Sequence, residues 1–211
     1  RYPARDQREA VRRMTRQSRT SKRPAAKGQP EPAYQLKVTV LEVEPPVWRR
    51  ILVPGTMTLD RLHAVIQKAM GWTDSHLHEF EVGDQRYGDP DPEDPDPGLK
   101  PEWMVTLQKA GAAEGGRFEY LYDFGDTWKH EILVESIQVP QKQLHYPVCL
   151  AGERSCPPED CGGPYGYADF LEAIQNPGHP EHDEMLAWAG GAFDPAAFDL
   201  AAVNRKLRLL K

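Results

Sequence analysis

The chain has few cysteines, no long apolar run and no complete catalytic signature, and each shortage excludes something. Three cysteines in 211 residues cannot all pair within one chain. A disulfide scaffold is therefore excluded, and a reducing compartment, the cytoplasm, is expected. No stretch approaches the roughly 18 apolar residues of a membrane-spanning helix, so no membrane partner is expected. The N-terminal residues lack the apolar core of a secretory signal, and the chain opens on Arg1 rather than Met, as it would if a segment preceded it. Neither His-Glu-x-x-His nor Gly-x-Ser-x-Gly occurs, and no Ser or Cys has an assignable base. What remains is 39% hydrophobic residues with 9% aromatics, enough for one ordinary core plus an extension.

Charge is divided unevenly. Residues 1–28 hold ten Arg or Lys against Asp6 and Glu9, a local charge of +8, while the rest holds 16 basic and 30 acidic residues, or −14. The chain accordingly reads as a basic arm and linker over 1–33 and a domain over 34–211. Arg8, Arg12, Arg13, Arg16 and Arg19 are the arm residues able to neutralise nucleic-acid phosphates. A solvated tail is the plainer alternative. Residues 5–17 read as a weak helix and 18–33 as a Ser/Thr/Lys/Pro linker.

From Tyr34, apolar residues alternate with polar ones to Val40, the period of a half-buried strand. Pro45-Pro46 turns the chain into a second strand, Val47 to Val53. Leu59, Leu62, Ile66, Ala69 and Met70 then recur at helical spacing, with Thr58 as N-cap and Gly71 as the stop. His76 to Val82 reads as a strand, residues 88–101 as a proline-rich acidic surface loop, and Met104 to Leu107 as a short strand. Phe118–Phe124 and Trp128–Ile137 make a hairpin through Gly125-Asp126-Thr127. After a Cys/Pro/Gly-rich loop come three helices: one carrying Tyr167, Phe170, Leu171 and Ile174, one marked by Met185 and Trp188, and one opened by Asp194-Pro195 and running through Leu207. The fold class expected is α+β: a single sheet of β-hairpins, one early helix and a C-terminal helical segment.

Five blocks carry a family resemblance. They are Pro45-Pro46-Val47-Trp48-Arg49-Arg50; Leu62-His63 through Ala69-Met70-Gly71-Trp72; His76-Leu77-His78-Glu79-Phe80; Tyr122 through His130; and Cys156-Pro157-Pro158-Glu159-Asp160-Cys161-Gly162-Gly163. From about Tyr34 to its end the chain resembles the plasmid pRiA4b open-reading-frame-three family. That resemblance implies a compact MM3350-like α+β domain of bacteria and archaea, often carried on plasmids or transposons. It implies no reaction. Some members are labelled transposon resolvases, and nothing in this sequence supports that chemistry.

Three groups of residues bear on chemistry. Cys149, Cys156 and Cys161 lie within thirteen residues, and a loop can wrap three thiolates around a structural zinc, with His130, His145, His179 or His182 as fourth ligand. The resemblance extends to these cysteines. Against a zinc site, the spacings lack a Cys-x2-Cys knuckle, and free thiols pack equally well as small apolar groups. Gly162-Gly163-Pro164-Tyr165-Gly166 precedes a helix, but Glu159 and Asp160 stand before it and no Lys follows, so it reads as a tight turn and not a phosphate cradle. If strand alternation holds, His76 and His78 share a face, and His130 points inward with Trp128 and Ile132. His130 is then expected to bond Asp123 or Asp126 as a core residue. The functional alternative makes His76, His78, Asp123, Asp126 and His130 an acid–base or metal cluster. Trp48-Arg49-Arg50 could grip nucleic acid, except that adjacent strand residues point to opposite faces.

Two functions follow: a non-enzymatic accessory or interaction module with a protein partner and a nucleic-acid-contacting arm, or a metal-dependent, hydrolase-like enzyme. If the arm neutralises phosphates, affinity for duplex DNA should fall by roughly a thousandfold between 50 and 200 mM salt. Deletion of residues 1–28 should abolish it. Filter binding at the two salt concentrations checks both, and binding that survives the deletion would exclude the arm as the contact.

Overall fold

The structure is a computed structural model in which residues 31–210 are described. The proposed arm residues Arg8, Arg12, Arg13, Arg16 and Arg19 lie outside them. The alternating segment forms strand β1 (Ala33–Val40), which buries Tyr34, Leu36, Val38 and Val40. Strand β2 (Trp48–Pro54) pairs with it antiparallel. Helix α1 (Leu59–Met70) buries Leu59, Leu62, Val65, Ile66 and Met70 and ends at Gly71, whose φ of 105° is the left-handed stop that glycine adopts at little cost. The hydroxyl of its N-cap Thr58 turns to Asp60 rather than to a backbone N–H.

Strands β3 (His78–Val82), β4 (Gln85–Gly88) and β5 (Leu99–Pro101) follow, then a 3-10 turn (Glu102–Met104) and a one-turn helix, α2 (Leu107–Ala110). The hairpin β6 (Arg117–Tyr122) and β7 (Trp128–Gln138) comes next, then β8 (Val148–Glu153) and helices α3 (Gly163–Gln175), α4 (His182–Trp188) and α5 (Leu200–Leu207). One eight-stranded sheet results, in the order β5-β4-β3-β6-β7-β1-β2-β8. Its pairings are antiparallel except β4 with β5. The expected single-sheet α+β class is what the chain forms. α1 packs beside α5, and α5 also lies against β8. Both sheet edges are shielded. β5 is three residues long and ends in proline. At β8, Asn204 of α5 bonds both the N–H and the carbonyl of Cys149, each at 2.9 Å.

Five local expectations need correction. The strand expected from His76 begins at His78, so His76 and His78 do not share a strand face. Asp74 adopts a left-handed conformation (φ 63°) just ahead of it. The loop over 88–101 ends as β5, and Met104–Leu107 is 3-10 and helical with one isolated bridge, Thr58 to Thr106. β8 arises inside the expected Cys/Pro/Gly loop, where β2 offers it a partner. The last helix starts at Leu200, capped by Asp199, because the Asp194 and Pro195 carbonyls instead accept hydrogen bonds from Ser155.

Arg49 joins these parts. The inward face of β2 places it at 3% exposure, while Arg50 points outward to Glu135. The Arg49 guanidinium donates to the carbonyls of Ala69 at the end of α1, of Trp48, of Glu153 at the end of β8, and of Arg154 beyond it, all at 2.8–3.0 Å. Its carbon lies 4.7 Å from the Phe198 ring centroid. The free carbonyls at a helix C-terminus favour a cation, but burial lowers the guanidinium pKa and makes the charge costly to leave unmet. Arg49→Ala should therefore lower unfolding stability by about 3 kcal/mol or more. Arg49→Lys, a point charge without the fork, should recover only part of it. Urea unfolding measures both.

Candidate metal centre

The rim where β3 begins, β6 ends and β7 begins gathers the polar side chains. Asp123, the residue after β6, has φ 59° and donates its N–H to Leu77 O at 2.8 Å. Its Oδ1 accepts from the N–H groups of Gly125 and Asp126, which leaves Oδ2 facing His76. From the opposite side comes the loop Pro157–Gly163. Glu159 accepts from the Tyr122 hydroxyl at 2.6 Å and from the Thr73 hydroxyl and N–H at 2.6 and 3.1 Å. Asp126 Oδ2 accepts from Gly162 N–H at 3.1 Å. Gly163 has φ 70°, and a Cβ there would strike the Asp126 carbonyl oxygen, so the close approach of the two loops requires glycine.

These ties bring three ligand atoms together. His76 Nδ1 lies 3.6 Å from Asp123 Oδ2, and His76 Nε2 lies 3.1 Å from Asp160 Oδ1. Among the described residues, His76, Asp123 and Asp160 are the three whose potential ligand atoms all fall within 4.8 Å of one another. His76 Nε2 is buried, and its approach to Asp160 lacks hydrogen-bond geometry, so this imidazole nitrogen has no hydrogen-bond partner. One nitrogen and two carboxylate oxygens suit a divalent cation, zinc and manganese included. The cluster can chelate such an ion. Asp160 is 71% exposed, and three ligands leave a position open, unlike the four-ligand closure of structural zinc.

Behind the cluster lies a second, internal network. His63 of α1 and His78 of β3 stack face to face, ring centroids 3.4 Å apart and planes within 4°. His63 Nε2 meets Asp74 Oδ1 at 2.8 Å, and its Nδ1 meets the Tyr120 hydroxyl at 2.8 Å. Gln67 also donates to that hydroxyl at 3.0 Å. His78 Nε2 bonds Glu102 at 2.8 Å. Burial, together with the neighbouring His78, lowers the His63 pKa against the raising pull of Asp74. The sequence did hint at this network, because His63 and Gln67 interrupt the apolar stripe of α1 at i and i+4.

The candidates of the sequence reading thus separate. His76 and Asp123 belong to the cluster, which Asp160 completes. His78 belongs to the internal network, and Asp126 is a loop anchor. His130 points inward as expected, but its partner is not a carboxylate: Nδ1 faces the carbonyls of Trp128 and Tyr120 at 3.0 and 3.3 Å, since β7 and β6 enclose it. Cys149, Cys156 and Cys161 do not form a group of close ligand atoms. The Cys149 thiol donates to Ala151 O, and burial raises all three thiols, Cys161 to about 12. They pack against the apolar core as protonated side chains. His182 bonds Ala173 O and His179 accepts from Glu181 N–H, which gives each a local structural partner. His145 likewise belongs to no close ligand group.

Fold and site together define a single-sheet α+β domain with an open metal-competent cluster at one end of its sheet. The chain belongs to the family described as plasmid pRiA4b ORF-3-like protein, whose model matches residues 32–202. The family is named after a plasmid reading frame. The chain is 44% identical over 172 residues to "Uncharacterized protein y4hQ" of Sinorhizobium fredii, covering 81% of this chain and 88% of that one. It is also similar to the crystal structure of a protein of unknown function, MM3350, from Methanosarcina mazei Go1. That likeness has a TM-score of 0.74 and 34% identity, and covers 82% of this chain and 97% of the other.

His130 generates a pH prediction. Burial lowers its pKa to about 4 against the upward pull of the two carbonyls, from an unfolded value of about 6.5. Stability from keeping it neutral is present above about pH 6.5 and lost as the pH falls toward 4, because the unfolded chain takes up the proton first. This histidine should account for a loss of roughly 3 kcal/mol across that window. His130→Gln should flatten that part of the stability–pH curve, as chemical denaturation at stepped pH would show.

Proposed function

We propose that the domain is a non-enzymatic accessory module of a mobile element, acting in the cytoplasm through protein contacts and, by its basic arm, through nucleic acid. The observation that carries this reading is that three of its histidines and its thiols are taken up inside the fold. His63, His78 and His130 are each engaged by carboxylate, phenol or carbonyl partners inside the fold. The three thiols are free of disulfides and held protonated, in keeping with a reducing compartment. Among the described residues no helix is long and apolar enough to cross a membrane.

A second reading, a metal-dependent enzyme of hydrolase type, is favoured by the open His76–Asp123–Asp160 cluster. A bound cation would polarise a substrate oxygen or lower the pKa of water. For the protein's part, His76 and the two aspartates would hold the ion, and the Glu159 loop would keep Asp160 in place.

One experiment separates the readings. Metal content after equilibration with Mn²⁺ or Zn²⁺, by calorimetry and elemental analysis, is followed by turnover assays on nitrophenyl phosphate and carboxylate esters. Cation uptake that falls at least tenfold in Asp123→Asn, with no turnover in either protein, is the outcome expected of an accessory module. Metal-dependent hydrolysis lost in the same variant would replace it with the enzyme.

A further inference from the structure

A cavity of about 450 Å³ opens beside the metal-competent cluster and shares Asp160 with it. Three separate segments build it. The end of α1 brings Trp72, the loop before α3 brings Glu159 and Asp160, and the chain leaving α4 brings Trp188 and Phe193. Trp72 is fixed: its indole N–H donates to Pro157 O at 2.9 Å, and its ring stacks on Tyr122 with centroids 4.9 Å apart. Trp188 and Phe193 both set their rings edge-on against Phe170, at 5.7 and 5.2 Å. Gly190 and Gly191, with φ of 87° and 97°, allow the tight reversal that puts Phe193 back on that ring.

The chemistry of the lining is one-sided. Among the described residues, aromatic and proline surfaces form the walls, the two charged side chains are both carboxylates, and no basic residue lines the cavity. Among the described residues the donors to Glu159 are the neutral Tyr122 and Thr73, so its charge is hydrogen-bonded without being neutralised by them. Lys206 does come near the rim, with Nζ 3.8 Å from where a Cβ on Gly71 would sit. There it meets the C-terminal end of α1.

We infer that this cavity is a binding site for a small organic cation, an alkylammonium or alkylguanidinium group. Such a group places its positive charge between the carboxylates and the half-exposed Trp188 indole, and its alkyl stem along the prolines. An anion would meet two like charges, and a neutral apolar ligand would strip water from the carboxylates without compensation. An inorganic ion finds three close ligand atoms at His76, Asp123 and Asp160 instead. The same chemistry is offered by a free amine and by a Lys or Arg side chain of a peptide.

The test is calorimetry and tryptophan fluorescence on the full chain, with butyltrimethylammonium and butylguanidinium as probes. Hexanol and hexanoate are the neutral and anionic controls, and a blocked Gly-Arg-Gly tripeptide stands for the peptide source. Saturable one-site binding of the cations is expected, with hexanol and hexanoate at least fivefold weaker. Trp188→Ala, at a half-exposed position, and Asp160→Asn should each weaken the cations by roughly fivefold or more. His76→Ala should leave them within twofold, so that failure of the metal cluster and failure of this site are told apart. Tripeptide affinity equal to butylguanidinium assigns the site to a peptide side chain, and much weaker affinity assigns it to a free amine. Hexanol binding as tightly as the cations, unsaturable binding, or an unchanged Trp188→Ala protein would overturn the inference.

Discussion

The buried guanidinium of Arg49 is the constraint on which the rest of the molecule depends. Its four carbonyl partners come from the end of α1, from its own strand, from the end of β8 and from the residue that begins the next loop. A cation taken out of water needs every donor met, so these four segments are held in one arrangement. The loop that leaves Arg154 is the one that carries Glu159 and Asp160. Its starting point is therefore fixed by the same side chain that closes α1.

From that starting point the loop is held by hydrogen bonds rather than by regular structure. Glu159 reaches across to β6 and to the turn after α1, and Gly162 reaches to Asp126. Asp160 sits between those two ties with φ 60°, a conformation that Asp adopts more readily than most residues. The result is an exposed carboxylate delivered to a partly buried imidazole and a buried carboxylate. An open coordination position and an aromatic, acidic cavity on its other side both follow from this one loop placement.

Two kinds of histidine result. His63 and His78 stack between helix and sheet, with a carboxylate for each and a phenol for one. They join α1 to β3 and β6 through polar contacts inside an otherwise apolar layer. His76, two residues before His78, is outside the strand and belongs to the rim. Strand alternation cannot tell these roles apart, because the difference is made by where pairing begins.

Much of the fold was legible in the sequence because local periodicity decides it. β1, β2, α1 and the β6–β7 hairpin have apolar spacings that only one secondary structure can bury, and the stop at Gly71 is a backbone requirement. The opposite facing of Arg49 and Arg50 and the inward turn of His130 followed from the same alternation. Long-range partners decided the rest. β8 exists because β2 has a free edge, the last helix begins late because Ser155 claims the carbonyls before it, and the thiols are core because their loop folds inward. The metal-competent cluster joins residues 76, 123 and 160 from three segments, and no spacing along the chain encodes a distance between them. Sequence determined which residues face inward; tertiary structure decided which of them meet, since side-chain direction is a local property and proximity is not.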